Sequence, residues 1–143
     1  MCRALSFHNN LHAASVFITQ AGDWKLAGLE SVCGLEQEPP VQVLPSTAKY
    51  SPPERNDPSK ARLTSSWAAD VLGLGCLVWE VFNGDLPSME NLVKLGDIPK
   101  SLQPTYKECF EANPGKRPRP SDILTKLRRS PGFFKNDLID IAL

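Results

Sequence analysis

The chain reads as α+β with helix dominant. Two short β-like runs, Ser15–Thr19 and Asp23–Leu26, flank a turn at Gly22, the pattern of a hairpin. A 16-residue apolar stretch, WAADVLGLGCLVWEVF, begins at Trp67, and two later segments carry apolar residues at helical spacing.

Each element has its own signal. The apolar stretch carries Asp70 and Glu80 and is too short and too polar to span a bilayer, so no transmembrane segment is expected. It predicts a helix over about 67–82, buried on nearly all sides and ended by Asn83–Gly84. A short helix is expected near 87–94. Over 101–112, Leu102, Tyr106, Cys109 and Phe110 share one stripe, which predicts an amphipathic helix broken by Asn113-Pro114-Gly115. The last helix starts at Pro120, a good first-turn residue, and runs through ILTKLRR. Residues 30–66 show little periodicity, and the prolines crowded between 39 and 58 read as one long loop. No internal repeat is present.

The totals exclude several classes. The 143 residues give room for one domain or a piece of a larger one. Sixteen basic and 16 acidic side chains cancel, so no broad attraction to nucleic acid or anionic lipid is expected. Cys2, Cys33, Cys76 and Cys109 lie far apart, which argues against a disulfide framework or zinc ribbon and for a reducing compartment. The N-terminal MCRALSF is not a signal peptide. His8 and His12 have the spacing of half a zinc site, but no glutamate follows His8, the stretch reads as loop and no third ligand is evident. They read as packed or hydrogen-bonded histidines.

Several words of the sequence then fall in a telling order. HNNLHAASVFI (8–18) runs from a polar loop into a strand. WKLAGLE (24–30) follows, then YSPPE (50–54), DVLGLGCLVWEVFNG (70–84), NPGKRPRPSDIL (113–124) and SPGFF (130–134). This series resembles the C-terminal lobe of a protein kinase, in which H-R-D-L-x-x-x-N, D-F-G, A-P-E and a long D-x-W-S-x-G helix occur in that order. HNN, WKLAGLE and WEVFNG narrow the resemblance to the Scy-like pseudokinases. It implies a mainly helical kinase-like C-lobe with a small β-hairpin at the catalytic-loop end. Residues 1–134 would form this partial domain, and 135–143 would open a following helical region. The nucleotide-binding lobe has no counterpart, as expected of a fragment or a truncated gene model.

Matched position by position, the resemblance predicts lost chemistry. Phosphoryl transfer needs a base at the attacking hydroxyl and carboxylates that hold magnesium. His8 keeps the first motif position and Leu11 the fourth, while Asn9 replaces the arginine and Asn10 the aspartate. An amide accepts no proton at neutral pH, so Asn10 is not a general base. Ser15 stands where an asparagine binds the second magnesium. Gly28, Leu29 and Glu30 fall on D-F-G, so the main magnesium carboxylate is missing. Glu54 and Arg117 match a buried structural pair, and Asp70 matches the residue that holds the catalytic loop's backbone. Trp79, Val78 and Phe82 would fill the core around them.

The expectation is therefore a pseudokinase, not an enzyme, with no catalytic residue, cofactor or metal. By resemblance it would be a scaffold in Golgi-to-endoplasmic-reticulum vesicle traffic, linked to the coatomer coat through regions outside this chain. It would be cytoplasmic and peripheral to Golgi and ER–Golgi membranes. One alternative is an unorthodox ATP-dependent kinase using Glu30 and His12, the latter placed where many kinases have a phosphate-steadying lysine. Another is a tRNA or nucleic-acid adaptor using the basic residues of 116–129.

Overall fold

The computed structural model describes residues 6–29, 32–34, 50–55, 67–85, 88 and 94–130. Among them, β1 (Ser6–Phe7) pairs antiparallel with β4 (Cys33–Gly34), and β2 (Val16–Ile18) pairs antiparallel with β3 (Trp24–Leu26). The helices are α1 (Trp67–Asn83), α2 (Gln103–Glu108) and α3 (Pro120–Arg129). Short 3₁₀ turns at Ala13–Ser15, Pro53–Arg55 and Pro114–Lys116 join them.

The β2–β3 hairpin sets Val16 opposite Leu26, Phe17 opposite Lys25 and Ile18 opposite Trp24. Its turn places Gly22 at φ +88°. The β1–β4 pair is too short for sequence periodicity to reveal. The helix expected near 87–94 and the region 135–143 lie outside the described residues, apart from Ser88 and Lys94. Of the proline-rich stretch, only 50–55 are described.

The helix α1 has poor intrinsic propensity, because Gly73 and Gly75 each cost about 1 kcal/mol relative to alanine. Packing offsets that. Val71, Leu72, Cys76 and Trp79 are all buried, and a large apolar side chain contributes about 1.5–3 kcal/mol on leaving water. Only Val81 of this helix is exposed, so the helix is enclosed almost all round. Trp79 meets Ile98, Leu102 and Tyr106, with Val78 and Phe82 packed at the margin. Val71 meets Cys109 and Ile123, while Tyr50 meets Leu72 and Cys76. Phe110 touches all three groups and stacks edge-on against Tyr106 at 5.0 Å.

The amphipathic segment differs from expectation. The regular helix covers Gln103–Glu108 and not 101–112. After it, the amides of Cys109, Phe110 and Glu111 each reach back three residues, to Tyr106, Lys107 and Glu108. The backbone thus tightens into 3₁₀ turns while keeping the apolar stripe pointed at the core. The final helix begins at Pro120, and the Arg119 amide donates to Asp122 Oδ2 at 3.1 Å, satisfying a donor at its start. Lys126, Arg128 and Arg129 complement the dipole at its end.

Two expected results follow from this packing. An added Cβ at Gly75 would lie 2.6 Å from Phe110 Cζ and 3.0 Å from Cys109 Cβ. Gly75→Ala gains helix propensity but overpacks this junction, and a net loss of about 1–3 kcal/mol is expected by urea denaturation. Burial pushes the Cys76 and Cys109 thiols from 9.0 up to about 12, and burial also raises the Tyr50 and Tyr106 hydroxyls. The folded chain therefore keeps protons that the unfolded chain releases. Stability conferred by these groups is complete below pH 9 and is expected to fall as pH rises from 9 toward 12. At pH 9 an alkylating reagent should leave Cys76 and Cys109 unmodified by mass-mapped labelling until denaturant is added.

Candidate functional site

The loop before β2 is built on α1. Asp70, in the first turn of that helix, accepts two backbone amides. The His8 N–H donates to its Oδ2 at 2.8 Å and the Asn9 N–H to its Oδ1 at 2.7 Å. Burial pushes the Asp70 carboxyl above its ordinary range, opposed by those two amides, by His8 and by the charge of Arg55. Gly73 lets the helix pass close beneath the loop, since a Cβ there would stand 3.1 Å from the Leu11 carbonyl oxygen.

His8 Nε2 lies 2.8 Å from the Ala27 carbonyl oxygen, tying the loop to the strand end that precedes Gly28. The Asn10 amide donates to His8 Nδ1 at 3.3 Å. Asn9 is buried and left-handed, at φ +63°. Its backbone oxygen accepts from Arg55 Nη1 at 3.0 Å, and its Oδ1 accepts from Arg55 Nη2 at 2.7 Å. Nothing in the sequence links these two residues, which stand 46 apart.

Ser15 has a defined occupation. Its hydroxyl donates to the His12 carbonyl oxygen at 2.6 Å and accepts from the His12 N–H at 3.1 Å. The donor and one of the two acceptor lone pairs of this buried hydroxyl are engaged inside the Ala13–Ser15 turn. The Ser15 carbonyl accepts from the Ala27 N–H at 2.7 Å, closing the hairpin onto the loop. The His12 ring lies 5.9 Å from that of Tyr50, whose hydroxyl donates to Glu80.

Gly28 sits at φ +78° just past β3, without a side chain, and Leu29 is 61% exposed. Glu30 lies outside the described residues. Among the described residues, no cluster of three or more His, Cys, Asp or Glu side chains could hold a metal ion. The described part of the 8–30 region thus offers a hydrogen-bonded frame.

Below the frame, the structure brings Glu54 and Arg117 together. Arg117 Nη1 donates to Glu54 Oε1 at 2.6 Å and Nη2 to Oε2 at 3.1 Å, a two-pronged pair. Arg117 also donates to the Ala68 and Glu111 carbonyls, each at 3.0 Å. Its side chain is 1% exposed, against 11% for Glu54. The remaining basic residues are partly engaged as well. Lys126 pairs with Glu108, and the Arg119 guanidinium lies 5.5 Å above the Trp67 ring.

No family model matches the chain. It is 28% identical over 141 residues to the probable inactive serine/threonine-protein kinase scy1 of Dictyostelium discoideum, covering 93% of this chain. It is 31% identical over 142 residues to the mouse protein-associating with the carboxyl-terminal domain of ezrin, covering 94% of this chain. The chain spans only 16% and 18% of those two proteins. Among solved structures, ROP2 from Toxoplasma gondii, described as having a protein-kinase fold and no enzymatic activity, aligns with a TM-score of 0.68. The identity is 15%, over 86% of this chain and 37% of that one. That likeness fixes the fold as kinase-like and α+β.

Proposed function

Since the chain belongs to the Scy-like kinase-like family, we propose that it is a catalytically inactive lobe that works by binding proteins. The observation that carries this reading is the state of the loop at 8–15. Its frame is complete, with Asp70 beneath it and His8 tied to Ala27, while the groups that would act are neutral or spent. Asn10 stands where a base is needed, Gly28 offers no carboxylate, and the Ser15 hydroxyl is hydrogen-bonded to the His12 backbone. Phosphoryl transfer without a base and without magnesium ligands lacks both of its main electrostatic supports. The rival kinase reading would need His12 to face a phosphate. Its ring lies 5.9 Å from that of Tyr50.

The scaffold role we propose is in vesicle traffic between the Golgi and the endoplasmic reticulum, linked to the coatomer coat through regions outside this chain, in the cytoplasm and peripheral to those membranes. Family resemblance supports it, as does a core retained without working groups. The test is binding of purified coatomer to the immobilised chain and to longer natural forms that contain it. Saturable binding by the longer forms is the expected outcome, and its absence from them would refute the trafficking role without touching the inactive reading.

A further inference from the structure

We propose that Arg55 is a positioning residue that latches the loop at 8–12 to the segment at 50–55, by gripping the carbonyl end of Asn9 while Asp70 grips its amide end. Asn9 adopts a left-handed backbone, φ +63°, which asparagine tolerates better than most residues but which persists only where the surroundings over-determine it. The surroundings here do so from several sides. Its N–H goes to Asp70 Oδ1, its C=O and Oδ1 go to the two arms of Arg55, and its Nδ2 donates to the Phe7 carbonyl oxygen at 3.2 Å.

The forked guanidinium meets both acceptors at once, a geometry that a lysine ammonium does not reproduce. Arg55 is itself placed by the turn that carries Glu54, with the Arg55 N–H donating to the Pro52 carbonyl oxygen at 3.0 Å. Successive residues of that turn therefore clasp different parts of the lobe, Glu54 to Arg117 and Arg55 to Asn9. The positive charge of Arg55 also bears on Asp70 across the held peptide. The latch joins the two segments into one unit using only groups of the chain itself. It stands independently of the trafficking role.

The test is residue-resolved amide hydrogen exchange on the whole 143-residue chain. In Arg55→Ala the amides of His8 and Asn9 should exchange at least about tenfold faster, the factor that one hydrogen bond to a charged group typically supplies. Amides within α1 should keep their rates. Arg55→Lys should protect His8 and Asn9 to an intermediate degree. In an Asn9→Gly background, which tolerates the backbone but lacks Oδ1, Arg55→Ala should speed His8 exchange by a smaller factor than in the natural chain. Unchanged exchange at His8 and Asn9 in Arg55→Ala, or an equal factor in both backgrounds, would overturn the proposal. If Arg55→Ala fails to fold, Arg55→Lys decides: selective loss at residues 8 and 9 supports the latch, and full natural protection there refutes it.

Discussion

Arg117→Ala is expected to destabilise the chain by about 3–5 kcal/mol, the usual cost of removing one partner from a buried ion pair. Four hydrogen bonds disappear together: two to the Glu54 carboxylate and one each to the Ala68 and Glu111 carbonyls. Glu54 is left only 11% exposed and without the Arg117 guanidinium that compensated it. A domain of this size has a total stability of about 5–15 kcal/mol, so the loss threatens the folded state itself. The measurement is urea denaturation followed by tryptophan fluorescence, which reports on the buried Trp79. Replacing both partners at once, by Glu54→Leu with Arg117→Met, should cost less than Arg117→Ala alone. The large term is the abandoned charge, not the lost attraction.

Asp70→Ala is the second large effect, with about 2–4 kcal/mol expected from two backbone amides deprived of a charged acceptor. The loop to which the His8 and Asn9 amides belong is already left-handed at Asn9. Here the damage should be local as well as global. Hydrogen exchange should show the 8–15 loop losing protection before α1 or α3 does, whereas Arg117→Ala should weaken the whole lobe in one cooperative step. Loss of equal size throughout the chain in Asp70→Ala would contradict the loop-holding role.

Most of the helical frame was legible because its signals are local. Trp67–Asn83 follows from one apolar run closed by Asn83-Gly84, and Pro120–Arg129 from a first-turn proline leading into ILTKLRR. The hairpin followed from short β-like runs around Gly22. The second helix came out shorter than its stripe, because apolar spacing does not distinguish an α-turn from the 3₁₀ turns that follow Glu108. The candidate site was legible only in its residue types. The expectation at Asn10 and Gly28 rests on residue identity and the family resemblance alone. The grip of Arg55 on Asn9, the closed circuit of Ser15 with His12 and the Tyr50–Glu80 bond depend on how distant segments meet. No periodicity within a window reports such meetings.

The retained frame and the missing reactive groups make one prediction that outweighs the rest. It is tested most directly by assaying magnesium-dependent transfer of the γ-phosphate of ATP to protein, with longer natural forms that contain this chain and with their Asn10→Asp variant. No transfer is expected from either, because restoring the base still leaves Gly28 without a carboxylate and Ser15 turned to its own backbone. Magnesium-dependent transfer by the longer natural form, abolished by Glu30→Gln, would contradict it.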